Sequence, residues 1–244
     1  MRILAVIPAR FKSSRFPGKP LADIGGKPMI AWVYAHAREV AEFDQVLVAT
    51  DDERIRDACQ TLGMDFIMTD PAHPTGTDRL GEVARRTKAD LYVNIQGDEP
   101  MLEAATIRAA LAPYLSSEGP RPPVTNLMTR IRRPEDVEAP TVIKVVVNAR
   151  SEALFMSRAP IPFAKKGGDP ARYKQVCVYA FTPEALSRFC ELGSGRVEQV
   201  EEIELLRFIE AGMPVRMIEV ERDTTAVDTP ADLETVRRMM LGKA

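Results

Sequence analysis

An α/β fold built around a mainly parallel sheet is predicted for this chain of 244 residues. Three observations predict it. Short continuous apolar runs, the mark of strands covered on both faces, recur at residues 3–7, 45–49 and 91–95. Segments of helical apolar spacing follow them, an alternation that calls for right-handed crossovers between parallel strands. The first run opens into a loop of cations, prolines and a glycine, placed where open α/β sheets bind ligands, beyond the carboxyl end of a strand.

In order, residues 3–7 form a first strand and residues 29–40 a first helix. The run Q-V-L-V-A at 45–49 is a second buried strand. Asp51 and Asp52 open a helix reaching about residue 62, with acids where the helix dipole favours them. Residues 66–68 are a short strand, a helix runs from Thr77 to about residue 87, residues 91–95 are a fourth strand, and residues 104–115 are helical. The rhythm breaks at 116–123, S-S-E-G-P-R-P-P, which has the composition of a linker. Beyond it, residues 124–128, 143–147 and 176–181 read as strands, 153–156 as a short helical stretch and 165–170 as a loop. Helices are expected at 183–192, ending at Gly193, and at 197–211, ahead of Gly212. Residues 215–220 form a last strand, and residues 230–241 a terminal helix with Thr229 as N-cap and Asp232 in its first turn. The whole, residues 1–244, reads as one body with residues 120–182 as an inserted lobe.

Composition narrows the classes. Hydrophobic residues at 45% and charged residues at 28% are ordinary for a globular protein. A net charge of −2 provides no basic field for a nucleic-acid partner. Cys59, Cys177 and Cys190 are widely spaced without zinc or redox spacing, and a reduced, cytoplasmic setting is expected. No signal peptide precedes the first strand and no apolar run approaches about 18 residues, so no membrane insertion is expected.

Three stretches carry the chemistry. The first is Ile7-Pro-Ala-Arg-Phe-Lys-Ser-Ser-Arg-Phe-Pro-Gly-Lys-Pro20, with cations at Arg10, Lys12, Arg15 and Lys19. Glycine admits close backbone approach, proline stiffens the loop, and the cations suit a phosphate polyanion; a merely solvated basic loop is the alternative. It is neither a Walker A loop nor a G-x-G-x-x-G fingerprint. The second is Asn94-Ile-Gln-Gly-Asp-Glu-Pro100, which puts Asp98 at the end of a strand, matched by Asp228 ahead of the last helix. Carboxylates facing a phosphate loop suit Mg²⁺, which takes one or two of them together with substrate phosphates; turn and cap residues are the alternative. The third, His73-Pro-Thr-Gly-Thr-Asp-Arg79, offers small hydroxylated residues that let the chain pass a flat pyrimidine, or simply a loop with an N-cap. His73 reads as a loop residue without a metal-ligand partner, and His36 lies on a helix face.

These stretches, with Ala49-Thr-Asp51, Ser157-Arg-Ala-Pro-Ile-Pro162 and Val227-Asp-Thr-Pro-Ala-Asp-Leu233, resemble the sugar nucleotidyltransferases over nearly the whole chain. The resemblance is closest to the 3-deoxy-manno-octulosonate (Kdo) cytidylyltransferase family, the CMP-Kdo synthetases. It implies a Rossmann-like nucleotidyltransferase fold whose lobe shapes the acceptor pocket and the dimer contact, in a homodimer serving lipopolysaccharide biosynthesis. CTP and a small acidic acceptor are the implied partners, and Mg²⁺ the implied cofactor, held by Asp98 and Asp228. By the same resemblance Arg10, Lys19 and Asp98 are catalytic. Pro8, Ala9, Ser14, Arg15, Thr75, Gly76, Thr77 and Arg79 join them around the nucleotide. Gln96, Lys144, Arg158, Gln175, Tyr179 and Glu204 are implied at the acceptor.

The chain departs from the family pattern at the acceptor. Gln175 stands where the family carries a histidine that contacts the sugar acid, and Glu204-Leu205 stands where Glu-Gln is usual. Two acceptor readings stay open: Kdo itself, or another acid such as 8-amino-Kdo, a different keto-acid sugar or a small phosphonate. A nucleotidyltransferase for another base and a silent nucleotide-binding scaffold are the competing functions.

Overall fold

The computed structural model describes residues 1–12, 15–168, 170–222 and 224–242. Two compact units divide the chain: residues 1–108 with 224–244, and residues 109–223. The expected lobe, 120–182, lies wholly inside the second.

In the first unit β1 (Ile3–Ala9) is buried at all seven positions. After it come a two-residue hairpin, β2 (Asp23–Ile24) and β3 (Lys27–Pro28), then α1 (Met29–Arg38), β4 (Gln45–Thr50), α2 (Glu53–Thr61), β5 (Phe66–Met68), α3 (Gly76–Arg86) and β6 (Leu91–Ile95). The strands run in the order β6-β1-β4-β5, all parallel, with Ile3 opposite Leu91, Leu4 opposite Gln45 and Val48 opposite Phe66. Continuous apolar runs were the right signature, because helices cover both faces of such a sheet. Two caps sit about where the sequence puts them. Asp52 accepts the Arg54 N–H at the start of α2, and Thr75 accepts the Asp78 N–H at the start of α3, one residue earlier than expected.

The expected helix over 104–115 is two pieces, α4 (Ala104–Ala109) and α5 (Ala112–Leu115). Pro113, in the first turn of α5, has no N–H to continue an α-helical ladder.

In the second unit the elements are β7 (Val124–Arg130), α6 (Pro134–Glu138), β8 (Lys144–Val147), β9 (Ala153–Ser157), β10 (Tyr173–Phe181), α7 (Pro183–Leu192), α8 (Arg196–Glu201), α9 (Leu206–Glu210) and β11 (Val215–Glu219). β7 lies between β11, parallel to it, and β10, antiparallel; the start of β10 also pairs β8, which pairs β9. A bulge in β10 between Val176 and Tyr179 is filled by Asn126, whose amide donates to the carbonyls of Val176 (2.8 Å) and Val178 (2.9 Å).

Two expectations are corrected here. Residues 153–156, read as helical, belong to strand β9: Val145 pairs with Met156 and Val146 with Phe155. Pairing with β8 overrides the helix preference of Ala, Leu and Met in so short a run. The helix expected over 197–211 is broken into α8 and α9 by Glu202, whose backbone is left-handed (φ 52°). The Glu210 carboxylate folds back to accept the N–H groups of Val197 (3.0 Å) and Glu198 (3.2 Å), satisfying the start of α8 from the end of α9.

The last helix, α10 (Pro230–Met240), belongs to the first unit. Val227, Leu233 and Val236 join Ile24 and Met29 in one buried cluster there. That apolar anchoring returns Asp228, more than two hundred residues from the first loop, to the neighbourhood of Lys19.

Candidate functional site

The basic loop closes on itself through Phe11. Gly18, at φ 73°, donates its N–H to the Phe11 carbonyl (2.8 Å), and a Cβ there would stand 3.0 Å from the Phe11 ring. The Arg54 guanidinium covers the same ring at 3.2 Å. A single 3₁₀ turn, Lys19–Leu21, starts from Gly18 and buries Pro20, which fixes where Lys19 leaves the backbone.

The Lys19 ammonium stands 2.9 Å from Asp98 Oδ2 and 3.6 Å from Asp228 Oδ1. Arg15 reaches Asp228 from the other side, Nη2 to Oδ1 3.1 Å. Desolvation alone would lower the pKa of Lys19, but the charge and hydrogen bond of Asp98, with the charge of Asp228, outweigh it and hold the pKa above its usual value. Lys19 is therefore a fixed cation at neutral pH.

Three backbone and side-chain links hold the two acids in place. Val227 N–H donates to the Asp98 carbonyl (2.8 Å), joining the two acid-bearing segments directly. Asp232 accepts the N–H groups of Asp228 (3.1 Å) and Thr229 (2.8 Å) in a capping box at the start of α10. Thr224 donates its hydroxyl to the buried Glu99 carboxylate (2.6 Å), next to Asp98 in sequence.

A cavity of about 430 Å³ opens beside this cluster, within the first unit. Of the predicted site residues it is lined by Pro8, Ala9, Arg10, Arg15, Lys19, Thr75, Gly76, Gln96 and Asp98. Lys12, a basic-loop cation not among the predicted site residues, lines it as well, together with Gly97. Arg10 and Lys12 make no hydrogen bond or ion pair to any described residue, so two cations are uncommitted while two are held by acids. Gly76 sits close to both flanking strands: a Cβ there would lie 3.0 Å from both Gln96 Nε2 and the Pro8 ring, and its absence lets α3 start against the ends of β1 and β6.

Two predicted nucleotide contacts lie away from the cavity lining in this structure. Thr77 and Arg79 are fully buried and do not line the cavity. Helical rotation turns both toward the sheet, where Thr77 Oγ1 accepts from Asn94 Nδ2 (3.2 Å) and Arg79 pairs with Asp51 (2.9 Å) and Thr69. Burial lowers the pKa of Arg79 against the opposing pull of Asp51. Ser14 lies outside the described residues. His73 is held by Glu82 (2.6 Å), and His36 donates Nδ1–H to the Leu102 carbonyl (2.7 Å), consistent with loop and helix-face roles.

Asp98 and Asp228 fit a hard divalent cation. Their carboxylates already converge on one positive charge, the Lys19 ammonium, beside a cavity that a triphosphate would enter. Among the described residues no group of three or more His, Cys, Asp and Glu forms an all-protein cage. Two carboxylates completed by substrate oxygens are the donor set that Mg²⁺ prefers.

The remaining acceptor candidates lie in the second unit. Lys144 is fully buried, and its ammonium donates to the carbonyls of Ala139 (2.9 Å), Val142 (2.8 Å) and Arg158 (2.5 Å), which uses all three of its N–H groups. In this structure its ammonium ties main chain together, and its predicted place on an acceptor is open to test by truncation. Arg158 is engaged by main chain too, Nε to Glu201 O (2.7 Å), Nη1 to Pro140 O (2.8 Å) and Nη2 to Glu202 O (3.2 Å), with two N–H groups left. Gln175 donates Nε2–H to Asn126 Oδ1 (3.0 Å). Tyr179 is buried, its ring 6.1 Å from that of Phe181, and Glu204 is half-buried ahead of α9.

Comparison with known proteins identifies the family. A family model described as cytidylyltransferase matches residues 4–218. The 3-deoxy-manno-octulosonate cytidylyltransferase of Escherichia coli is 45% identical, over 98% of this chain and 96% of its own length. That of Geobacter sulfurreducens is 42% identical, over 97% and 98%. A solved structure of CMP:2-keto-3-deoxy-manno-octonic acid synthetase complexed with CTP superposes with a TM-score of 0.92, at 42% identity and over 100% of both chains. With a first-unit cavity built from the motifs that suggested it, and with relatives matched end to end, the chain belongs to the cytidylyltransferase family, among its 3-deoxy-manno-octulosonate cytidylyltransferases.

Proposed function

We propose that the chain transfers CMP from CTP to 3-deoxy-manno-octulosonate and releases pyrophosphate. The observation that carries this reading is Lys19 held between Asp98 and Asp228, beside a cavity lined by the uncommitted cations Arg10 and Lys12. The relatives named above, matched over nearly their whole length, are named for this reaction.

In this mechanism Arg10, Lys12 and Arg15 take the triphosphate oxygens, and Lys19 neutralises charge where the reaction develops it. Pro8, Ala9, Thr75 and Gly76 form the wall against which the pyrimidine lies. Asp98 and Asp228 would hold Mg²⁺, which when bound supplies charge neutralisation at the α-phosphate. A hydroxyl oxygen of the acceptor adds in line to the α-phosphorus while the bond to the bridging oxygen breaks. Pyrophosphate leaves with that electron pair, and the hydroxyl proton passes to solvent. Positioning and charge neutralisation do most of the work in such transfers. Pyrophosphate release assayed with ATP, CTP, GTP and UTP, each with Kdo and Mg²⁺, tests the reading; release with CTP no faster than with the others would sink it.

A second reading keeps the transfer and changes the acceptor. It is favoured by the Gln175 amide, bound to Asn126 where the family pattern has a histidine, and by Leu205, fully buried where that pattern has Gln. A group that cannot pair in a pocket shifts selectivity by about 1–3 kcal/mol. A panel of Kdo, 8-amino-Kdo, other keto-acid sugars and small phosphonates separates the two. A homodimer in the cytoplasm is the assembly and setting we propose, which light scattering at working concentration and cell fractionation test; no helix among the described residues is long and apolar enough to cross a membrane.

A further inference from the structure

Within the second unit, a cavity of about 270 Å³ is lined, among the described residues, by Arg130, Arg132, Arg133 and Arg172 and by one acid, Glu138. It shares no lining residue with the nucleotide cavity. We propose that it is a second oxyanion site, built for a small molecule carrying two or more phosphoryl or carboxylate charges.

Four guanidinium groups around one concavity repel one another, and an opposing anion is what makes such a cluster favourable. The chain as a whole is slightly acidic, with a net charge of −2, so the cluster is a local feature and not the overflow of a basic protein. Two of the four are already positioned. Arg133 is gripped in a bidentate pair by Asp136, Nε to Oδ2 3.0 Å and Nη2 to Oδ1 2.8 Å. Arg172 has its carbonyl tied to the Ile131 N–H (2.9 Å), which clamps the start of β10 against the end of β7, and its Nη2 lies 3.4 Å from the Pro162 carbonyl. The side chains of the other two, Arg130 and Arg132, make no hydrogen bond or ion pair to any described residue. Half of the site is thus preorganised and half is uncommitted, with the planar forks that match phosphate and carboxylate oxygens in pairs.

Isothermal titration of the full chain, in magnesium-free buffer at low salt, reads the site with two probes, pyrophosphate and citrate. Wild type is compared with the double variant Arg130→Ser/Arg132→Ser. The nucleotide cavity is the same in both proteins, so the difference between isotherms belongs to the arginine cavity. Loss of one binding event, or its weakening by at least about tenfold, is expected in the serine variant. The variant Arg130→Lys/Arg132→Lys keeps the charge without the fork and should fall between them; it also decides the question should the serine variant fail to fold. A loss seen with pyrophosphate alone assigns a phosphoryl ligand, and one seen with citrate alone a carboxylate ligand. Identical isotherms for wild type and both variants, with both probes, would overturn the proposal.

Discussion

The ammonium of Lys19 lies 2.9 Å from Asp98 and 3.6 Å from Asp228, so one cation keeps two acids from distant parts of the chain within reach of each other. Removing it leaves two partly buried carboxylates facing one another with only Arg15 to offset them. Lys19→Met is expected to reduce kcat for pyrophosphate release by roughly a hundredfold or more, the scale of losing one preorganised charge at a developing anion. The same variant tests the titration. Because the folded pKa of Lys19 is raised, its stabilising contribution is complete below the unfolded value of about 10.4 and is lost as pH rises through the folded value above it. Urea unfolding between pH 8 and pH 11.5 should therefore show the stability gap between wild type and Lys19→Met narrowing at the alkaline end. A gap that widens with pH contradicts the assignment.

Asp98 and Asp228 share that cation but differ in their neighbours. Asp98 lines the nucleotide cavity and Asp228 does not, although Arg15 and Lys19 both reach it. Asp98→Asn keeps the side-chain shape and removes the charge. Turnover should fall by about a thousandfold, with CTP binding, read by nucleotide fluorescence displacement, changed by less than about fivefold. Asp228→Asn should raise the Mg²⁺ concentration needed for half-maximal rate and lower the rate less. Wild-type turnover in Asp98→Asn would remove the carboxylate pair from the chemistry.

The Thr224–Glu99 hydrogen bond, 2.6 Å long and buried, holds the segment approaching Asp228 against the one that follows Asp98. Neither residue lines the nucleotide cavity, so its contribution to rate would act through the acids. Thr224→Val removes the donor and leaves the carboxylate with one partner fewer, which is expected to destabilise the fold by about 1–3 kcal/mol. A positioning role predicts more than a lower melting temperature: the Mg²⁺ dependence should shift, KM for CTP should hold, and Thr224→Ser should restore both rate and stability. A melting shift with unchanged Mg²⁺ dependence would reduce the bond to a structural one.

What was legible in the sequence follows from what is local. β1, β4 and β6 were readable because a strand buried on both faces writes itself as an unbroken apolar run, and the basic loop because its four cations and Gly18 sit within ten residues. Thr75 and Thr229 announce their helices by the hydroxyl they offer to the first turn. What escaped depends on partners far away in the chain. Residues 153–156 have helix-forming side chains and become a strand only because β8 is there to pair with. Lys144 looks the same in sequence whether its ammonium meets a sugar acid or three carbonyls. Arg79 belongs to a motif of which Pro74, Thr75 and Gly76 line the cavity, and only the turn of α3 tells that it points the other way. Glu99 and Thr224, 125 residues apart, carry no signal of each other.

The three carbonyls around Lys144 make a sharp distinction testable. An ammonium that contacts the acceptor should, on truncation, raise acceptor KM and leave the fold intact. One that ties together the backbone at Ala139, Val142 and Arg158 should do the reverse. Lys144→Met preserves the apolar stem and orphans three buried or half-buried acceptors, for an expected loss of roughly 3 kcal/mol or more. Thermal unfolding should shift downward by several degrees, and acceptor KM at a temperature where the variant is folded should change by less than about threefold. A normal melting temperature with a tenfold higher acceptor KM would return Lys144 to the acceptor site.

Gln175 bears on the acceptor most directly. Its amide sits on the face of β10 that looks onto Asn126 of β7, bonded through Nε2 at 3.0 Å, with Met156 Sδ 3.8 Å away. A histidine there has a shorter reach and one ring nitrogen able to accept, so it replaces a neutral donor–acceptor amide by a group that titrates near neutrality. Should the chain act on Kdo by the family's usual contact with Gln standing in, Gln175→His should improve kcat/KM for Kdo by about five- to tenfold and make it pH-dependent between pH 6 and 8. Should the chain take a different acid, the same substitution should depress turnover of that acid while conferring new activity on Kdo. The acceptor panel run on wild type and Gln175→His side by side separates these outcomes, and equal profiles for the two proteins would show that position 175 does not select the acceptor at all.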